Sequence, residues 1–351
     1  MLYVIDNKIF LRNFILGLFV ILCNLAFAFD DSTIIEIPQE KNSLDLVFSQ
    51  DVTQESTKAV KINTIVLDSQ DQKALLDKAD HIANINAIPK YIFENDFDID
   101  LKMNNVPVLD QGEHGTCMTF AITALIDAIK ASGDYISQQC LLELGNYYIS
   151  DFNNLDPECS FSGWEGFDDP KCLLKRIDTH GIVAKADCPH AYPLDESSLL
   201  RFEKMSINDY KILSYNNQWA KDYTWVPIVN PNSISAIKKA LNNNNRVLIA
   251  SMVKLGKEIN ETGYPINNKK SGLWALPTNF TEFEKFIKGK NSFGLHAMVV
   301  TGYSDKHKIL KIRNSWGNLS GDNGDYYMTY DYYRLMNLET IEISGQRKIN
   351  S

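Results

Sequence analysis

Two apolar periods, kept apart along the chain, constrain the fold more than any other feature of the sequence. After Cys117, the residues Phe120, Leu125, Ile126 and Ile129 recur at helical spacing and stop before Gly133, which predicts a helix beginning near Thr116 or Cys117. From Ala297 to Tyr330 the chain turns to Val, Ile, Tyr and Thr, broken at Gly302, Asn314 to Gly317 and Gly321 to Gly324, which predicts an antiparallel meander. A helical half followed by a sheet half is an α+β arrangement. Between Tyr192 and Phe293 lie a predicted helix, Ile234 to Leu241, a predicted buried strand, Arg246 to Val253, and Asn/Gly-rich loops.

With 44% hydrophobic and 23% charged residues over 351, the composition is that of a globular protein with ample length for a core. The formal charge of −9 lacks the basic field that neutralises nucleic-acid phosphates or anionic lipid, so neither partner is expected. No repeat of fixed period is present.

The first 28 residues read as an address. Lys8 and Arg12 precede an apolar run from Phe14 to Cys23, and Ala26-Phe27-Ala28 offers small residues where a signal peptidase cuts, so cleavage is expected before Phe29. The run falls short of the ~20 residues needed to span a bilayer. The expected product is secreted, into an extracellular, periplasmic or lysosome-like compartment, with no membrane contact after cleavage. From Phe29 to Ile88 eleven Asp/Glu face five Lys/Arg, with short apolar strands at Ile34 to Ile37 and Ile62 to Leu67. Ser69 with Gln72 forms a capping box ahead of an amphipathic helix through Ala74, Leu75, Leu76, Ala79 and Ile82. This leading segment is too thin to be a domain.

Of the six cysteines, Cys23 leaves with the signal. Cys140, Cys159, Cys172 and Cys188 cluster as disulfide candidates, and Cys117 stands apart. No C-x-x-C pair and no H-E-x-x-H occurs, so no metal and no cofactor is expected. Cys117 lies at a predicted helix N-terminus, where the macrodipole favours a thiolate, so its thiol is expected to ionise more readily than a free cysteine. Alone, Cys117 reads as a small buried hydrophobe, His296 as a core histidine and Asn314 as a turn residue. Together, a thiol, an imidazole to take its proton and an amide to fix the imidazole tautomer are the parts of a cysteine nucleophile site.

In that order, Gln111-Gly112 with Gly115-Thr116-Cys117, then His296-Ala297, then Asn314-Ser315-Trp316-Gly317 followed by Gly321 to Tyr326, the chain resembles the papain-like (C1) cysteine peptidases. The resemblance covers roughly Ile88 to Tyr330. It implies a papain-like fold, with a helical left domain, an antiparallel β-barrel-like right domain and the cleft between them. With the signal peptide at 1–28, it implies a peptidase domain 89–351 with an insertion within 193–293; the acidic segment 29–88 lacks the long helical pro-region of the best-known members, so it is expected to be a different, shorter pro-segment. Carried over residue by residue, Cys117 is the nucleophile, His296 the general base and acid, Asn314 its orienter, and Gln111 the side-chain donor of the oxyanion hole. Trp316 shields the Asn314–His296 hydrogen bond. The partners implied are peptide or protein substrates and the chain's own pro-segment as inhibitor, in a monomeric zymogen.

The family's cysteine before the nucleophile is His114 here, and the aromatic after it is Met118. That loss leaves Cys159 without its family partner, so the expected pairing is Cys159–Cys172 with Cys140–Cys188, leaving Cys117 free. His114 itself is expected to be an exposed loop histidine. His81, His180, His190 and His307 form no usable spacing. Asp322-Asn323-Gly324-Asp325 reads as a hairpin turn rather than a calcium loop, and Asn260, Asn279 and Asn318 open glycan acceptor motifs. Two other functions fit the same residues: a non-catalytic peptide-binding homologue, and an acyl transferase or ligase using the same Cys–His pair.

Overall fold

The computed structural model describes residues 28–38, 57–80, 88–150, 169–195, 197, 203–214, 223–254, 264–288 and 293–345. In chain order these contain β1 (Ala28–Pro38), β2 (Thr57–Val66), α1 (Ser69–Asp80), β3 (Ile99–Asp100), α2 (Cys117–Lys130), α3 (Gln138–Ser150), α4 (Pro170–His180) and α5 (Ile207–Leu213). Then come β4 (Tyr223–Pro227), α6 (Ile234–Asn242), β5 (Arg246–Lys254), β6 (Tyr264–Ile266), β7 (Lys269–Trp274), α7 (Phe280–Lys288), β8 (Phe293–Ser304), β9 (Ile309–Arg313), β10 (Asp325–Thr329), α8 (Tyr330–Met336) and β11 (Asn337–Gly345). The fold is α+β, with four helices, α2 to α5, preceding strands β4 to β11 in the chain.

The strands form one sheet in the order β4-β11-β5-β8-β9-β10-β7-β6, with β2 and β3 also pairing on β8 and β1 on β2. Strands β8, β9 and β10 make the expected antiparallel meander. Only β10 with β7 runs parallel among the described pairs. Gly302 does not break β8, as the sequence suggested. The strand continues through a bulge there, and a Cβ on Gly302 would sit 2.4 Å from the Ile99 carbonyl oxygen, so the glycine admits β3.

Every residue of β5 and β8 is buried, because the sheet carries a core on each face. Ala297 and Val299 of β8 and Leu248 and Ala250 of β5 pack with Phe120, Leu125 and Ile126 of α2. Their alternates Met298, Val300, Val247 and Ile249 turn to the opposite core, with Trp316, Tyr326 and Tyr332. Helix α2 ends at Lys130, and its cap Ala131 takes the left-handed conformation itself at φ 54°, two residues before the glycine that marked the stop.

The leading segment is woven into this second core. Val60, Ile65 and Leu75 are fully buried there. Its helix is capped differently from the capping box read at Ser69. Asp68 Oδ1 accepts from the Gln70 and Asp71 N–H groups, while Asp71 Oδ2 accepts from Asp68 N–H, so Asp68 is the cap and Ser69 is already helical.

Candidate active site

Helix α2 begins at Cys117 and is buried along its first three turns. The loop entering it is stitched to the segment that follows β9: Gln111 N–H donates to Ser315 O at 2.9 Å and Gly317 N–H to Leu109 O at 3.0 Å. Asp110 bridges to Trp316 in the same way. Gly317, at φ +81°, lets Asp110 approach; a Cβ there would lie 2.9 Å from its Oδ2. The two sequence blocks that carry Gln111 and Asn314 are thereby held side by side.

His296 lies on β8 opposite Ser251 of β5. Its Nε2 is 2.7 Å from Asn314 Oδ1, and that same oxygen accepts the Ser315 N–H at 2.8 Å. An oxygen that accepts twice requires His296 Nε2 to carry the hydrogen, which leaves Nδ1 with the lone pair. The Trp316 indole stacks on the imidazole, centroids 4.4 Å apart and planes 24° from parallel, covering the bond from water. Main-chain groups of Ala297, Met118 and Cys117 lie near the Cys117 sulfur and favour its thiolate. The thiol is therefore next to the residue that follows the histidine.

Gln111 is not a solvated turn amide. It is 1% exposed; its Oε1 accepts from Ser315 Oγ at 2.8 Å and its Nε2 donates to His114 O at 2.7 Å. One amide hydrogen of Nε2 remains for a further acceptor. His114 is wholly buried, which corrects the expectation of an exposed loop histidine. It packs edge-on to Tyr192. The Tyr192 hydroxyl donates to Gln111 O at 2.8 Å and lies 2.7 Å from Thr116 Oγ1. Nothing in the sequence marked Tyr192, a tyrosine before a proline in a region without periodicity.

The ionisation of Cys117 also departs from expectation. Burial pushes its thiol up to about 11, and the surrounding main-chain hydrogen bonds only partly offset this. Burial likewise pulls the His296 imidazole down to about 4, against the opposing effect of the Asn314 hydrogen bond. Helix-terminus stabilisation of a thiolate acts on a group still in reach of water or a cation, and here water is displaced. Strand β2 lies beside this site. It pairs antiparallel with β8 through Asn63 to Leu295, Thr64 to Gly294 and Ile65 to Phe293. On its other side Lys61 N–H donates to Glu113 O at 3.0 Å. Ile62 packs on Gly294, where a Cβ would be 2.6 Å from its Cδ1. Strand β2 therefore runs between the loop before Cys117 and the strand that carries His296.

Cys140 and Cys188 form a disulfide, and Cys117 is a free thiol. Cys172 is disulfide-bonded; its expected partner Cys159 lies outside the described residues, as do His81 and Asn260. His307 and Lys306 pair with Asp96, and His190 with Glu143. Asp322 and Asp325 bridge across a turn, and no metal-ligand cluster is found among the described residues. No described helix is long and apolar enough to cross a membrane.

Residues 269–341 match the model of the Peptidase C1-like family, a span that holds both His296 and Asn314. Gamete and mating-type specific protein A of Dictyostelium discoideum is 24% identical over 231 residues, which cover 64% of this chain. They make up only 41% of that relative, so the chain spans less than half its length. Among solved structures, xylellain, a cysteine protease from Xylella fastidiosa, is 18% identical with a TM-score of 0.49, over 76% of this chain and 93% of that one. Digestive procathepsin L 3 of Tenebrio molitor larval midgut is 14% identical with a TM-score of 0.43, over 79% of each chain. By the order of its motifs and the family match across its histidine and asparagine, the chain resembles the papain-like cysteine peptidases.

Proposed function

We propose that the chain is a secreted cysteine peptidase made in a latent form, with Cys117 as nucleophile. The single observation that carries this is the double acceptance by Asn314 Oδ1, because it assigns the His296 tautomer that a thiol nucleophile needs. In the proposed reaction His296 Nδ1 takes the Cys117 proton and the sulfur bonds to the substrate carbonyl carbon. The Gln111 amide and the Cys117 main-chain N–H stabilise the oxyanion. His296 then gives its proton to the leaving amine as the C–N bond breaks. Water, deprotonated by the same imidazole, releases the acid and restores the thiol.

Residues 29–88 would act as the inhibitor, and β2 supports this reading in a specific way. A strand bonded both to the loop before Cys117 and to the strand that carries His296 would occupy the space an extended substrate needs. Departure of β2 would return water to the site, lower the thiol and raise the imidazole towards their ordinary values. A monomer suffices for this chemistry, since every proposed role is filled within one chain. The test is peptide hydrolysis before and after proteolytic removal of 29–88. Turnover that appears on removal and is lost in Cys117→Ala supports the reading. A processed wild-type chain with an alkylatable Cys117 and no turnover would favour the peptide-binding alternative.

A further inference from the structure

The loop from Gln111 to Thr116 is crossed by a short strap, Tyr192 to Leu194, that the motifs do not include. We propose that this strap sets the spacing of the two oxyanion donors, with Tyr192 as its positioning residue; the proposal rests on the peptidase reading above.

One hydroxyl touches both ends of the loop. Tyr192 Oη donates its only hydrogen to Gln111 O, so at the other contact Thr116 Oγ1 is the donor and Tyr192 Oη the acceptor. Gln111 carries the side-chain donor, and Thr116 immediately precedes the Cys117 main-chain donor. Thr116 is the N-cap of α2, yet its side chain makes no capping bond, because it is turned to Tyr192 instead. The ring cannot swing away: it lies edge-on to Phe120, centroids 4.8 Å apart, and against His114 at 5.9 Å.

The rest of the strap grips the middle of the loop through backbone alone. Leu194 O accepts from Glu113 N–H at 2.9 Å. Gly112, at φ +62°, packs so close that a Cβ would lie 2.2 Å from that same oxygen. Four residues upstream of Tyr192, the Cys140–Cys188 disulfide fixes the strap to α3. Position 114, where the resemblance would place a cysteine, holds a histidine, so the loop has no covalent tether of its own. Glu113 O is bonded by Lys61 of β2, a contact that ends if the leading segment leaves, whereas the strap stays.

Oxyanion donors act by preorganisation, so loosening them lowers the rate of the chemical step more than it changes substrate binding. Tyr192→Phe keeps both ring contacts and removes both hydroxyl bonds. In the processed enzyme it is expected to lower kcat about tenfold with KM within about twofold. In the full chain, amide exchange at residues 113–117 is expected to quicken about tenfold while exchange in β5 stays unchanged. Thr116→Val, which removes the other partner, should act in the same direction. The double variant should be no worse than Tyr192→Phe, since both break one linkage.

Wild-type kcat and wild-type exchange in Tyr192→Phe would overturn the proposal and leave the peptidase reading intact. A rise in KM at constant kcat would overturn it too, by making Tyr192 a substrate contact. If even the wild-type processed chain turns over no peptide, the peptidase reading falls. The exchange measurement then still decides whether Tyr192 clamps the loop.

Discussion

At the scale of the residue, environment decides which form Cys117 and His296 hold. With the thiol pushed to about 11, alkylation by iodoacetamide in the intact chain should be slow at neutral pH and climb steadily as pH rises towards 11. Removal of 29–88 should shift that rise to lower pH, and an unchanged profile would mean that β2 does not seal the thiol. His296 bears on stability, with a sign that follows from its depressed basicity. Above pH 6.5 the imidazole is neutral folded and unfolded, so it contributes no pH dependence. As pH falls from 6.5 to about 4 the unfolded chain takes up a proton that the folded chain refuses, and stability drops. The loss is on the order of 3 kcal/mol, complete below about pH 4. Urea unfolding of His296→Gln across that range should show a flatter profile than wild type. The identities of Cys117, His296, Asn314 and Gln111 were legible in sequence because each sits in a short motif of fixed composition. Their ionisation was not, because burial is set by how segments far apart in the chain pack together.

At the scale of the element, periodicity gave α2, α6, β5 and the β8-β9-β10 meander, since a repeat of 3.6 or 2 is a local property. Asp68, rather than Ser69, as the α1 cap was missed because both residues can accept from the first turn and only geometry chooses. The bulge at Gly302 was read as a break because a glycine in an apolar run has the same appearance in either case. The docking of β2 has a point of leverage in Gly294. A side chain there meets the flexible end of Ile62, so Gly294→Val should weaken the β2–β8 pairing without altering Cys117, His296 or Asn314. Faster Cys117 alkylation in the intact chain is the expected result. Ile62→Asp should do the same by placing a charge in a buried site, and wild-type alkylation rates in both variants would argue against β2 as the cover.

At the scale of the whole molecule, one sheet with a core on each face lets the helical half present Cys117 to a strand that carries His296. The α+β class was readable because the two periods lie in separate stretches. The entry of the leading segment into the core was not, because its pairing with β8 joins residues more than 200 positions apart. Val60, Ile65 and Leu75 contribute to that core, so cutting the chain after residue 88 and removing the fragment should lower the thermal midpoint by several degrees. An unchanged midpoint would show that the segment lies on the surface of an otherwise complete fold. Hydrolysis of an unfolded protein substrate by the processed chain, wild type beside Cys117→Ala with folding checked by thermal midpoint, tests Cys117 as nucleophile. Wild type is expected to cleave the substrate and the folded Cys117→Ala variant not to; cleavage that persists without the Cys117 thiol would mean that Cys117 is not the nucleophile.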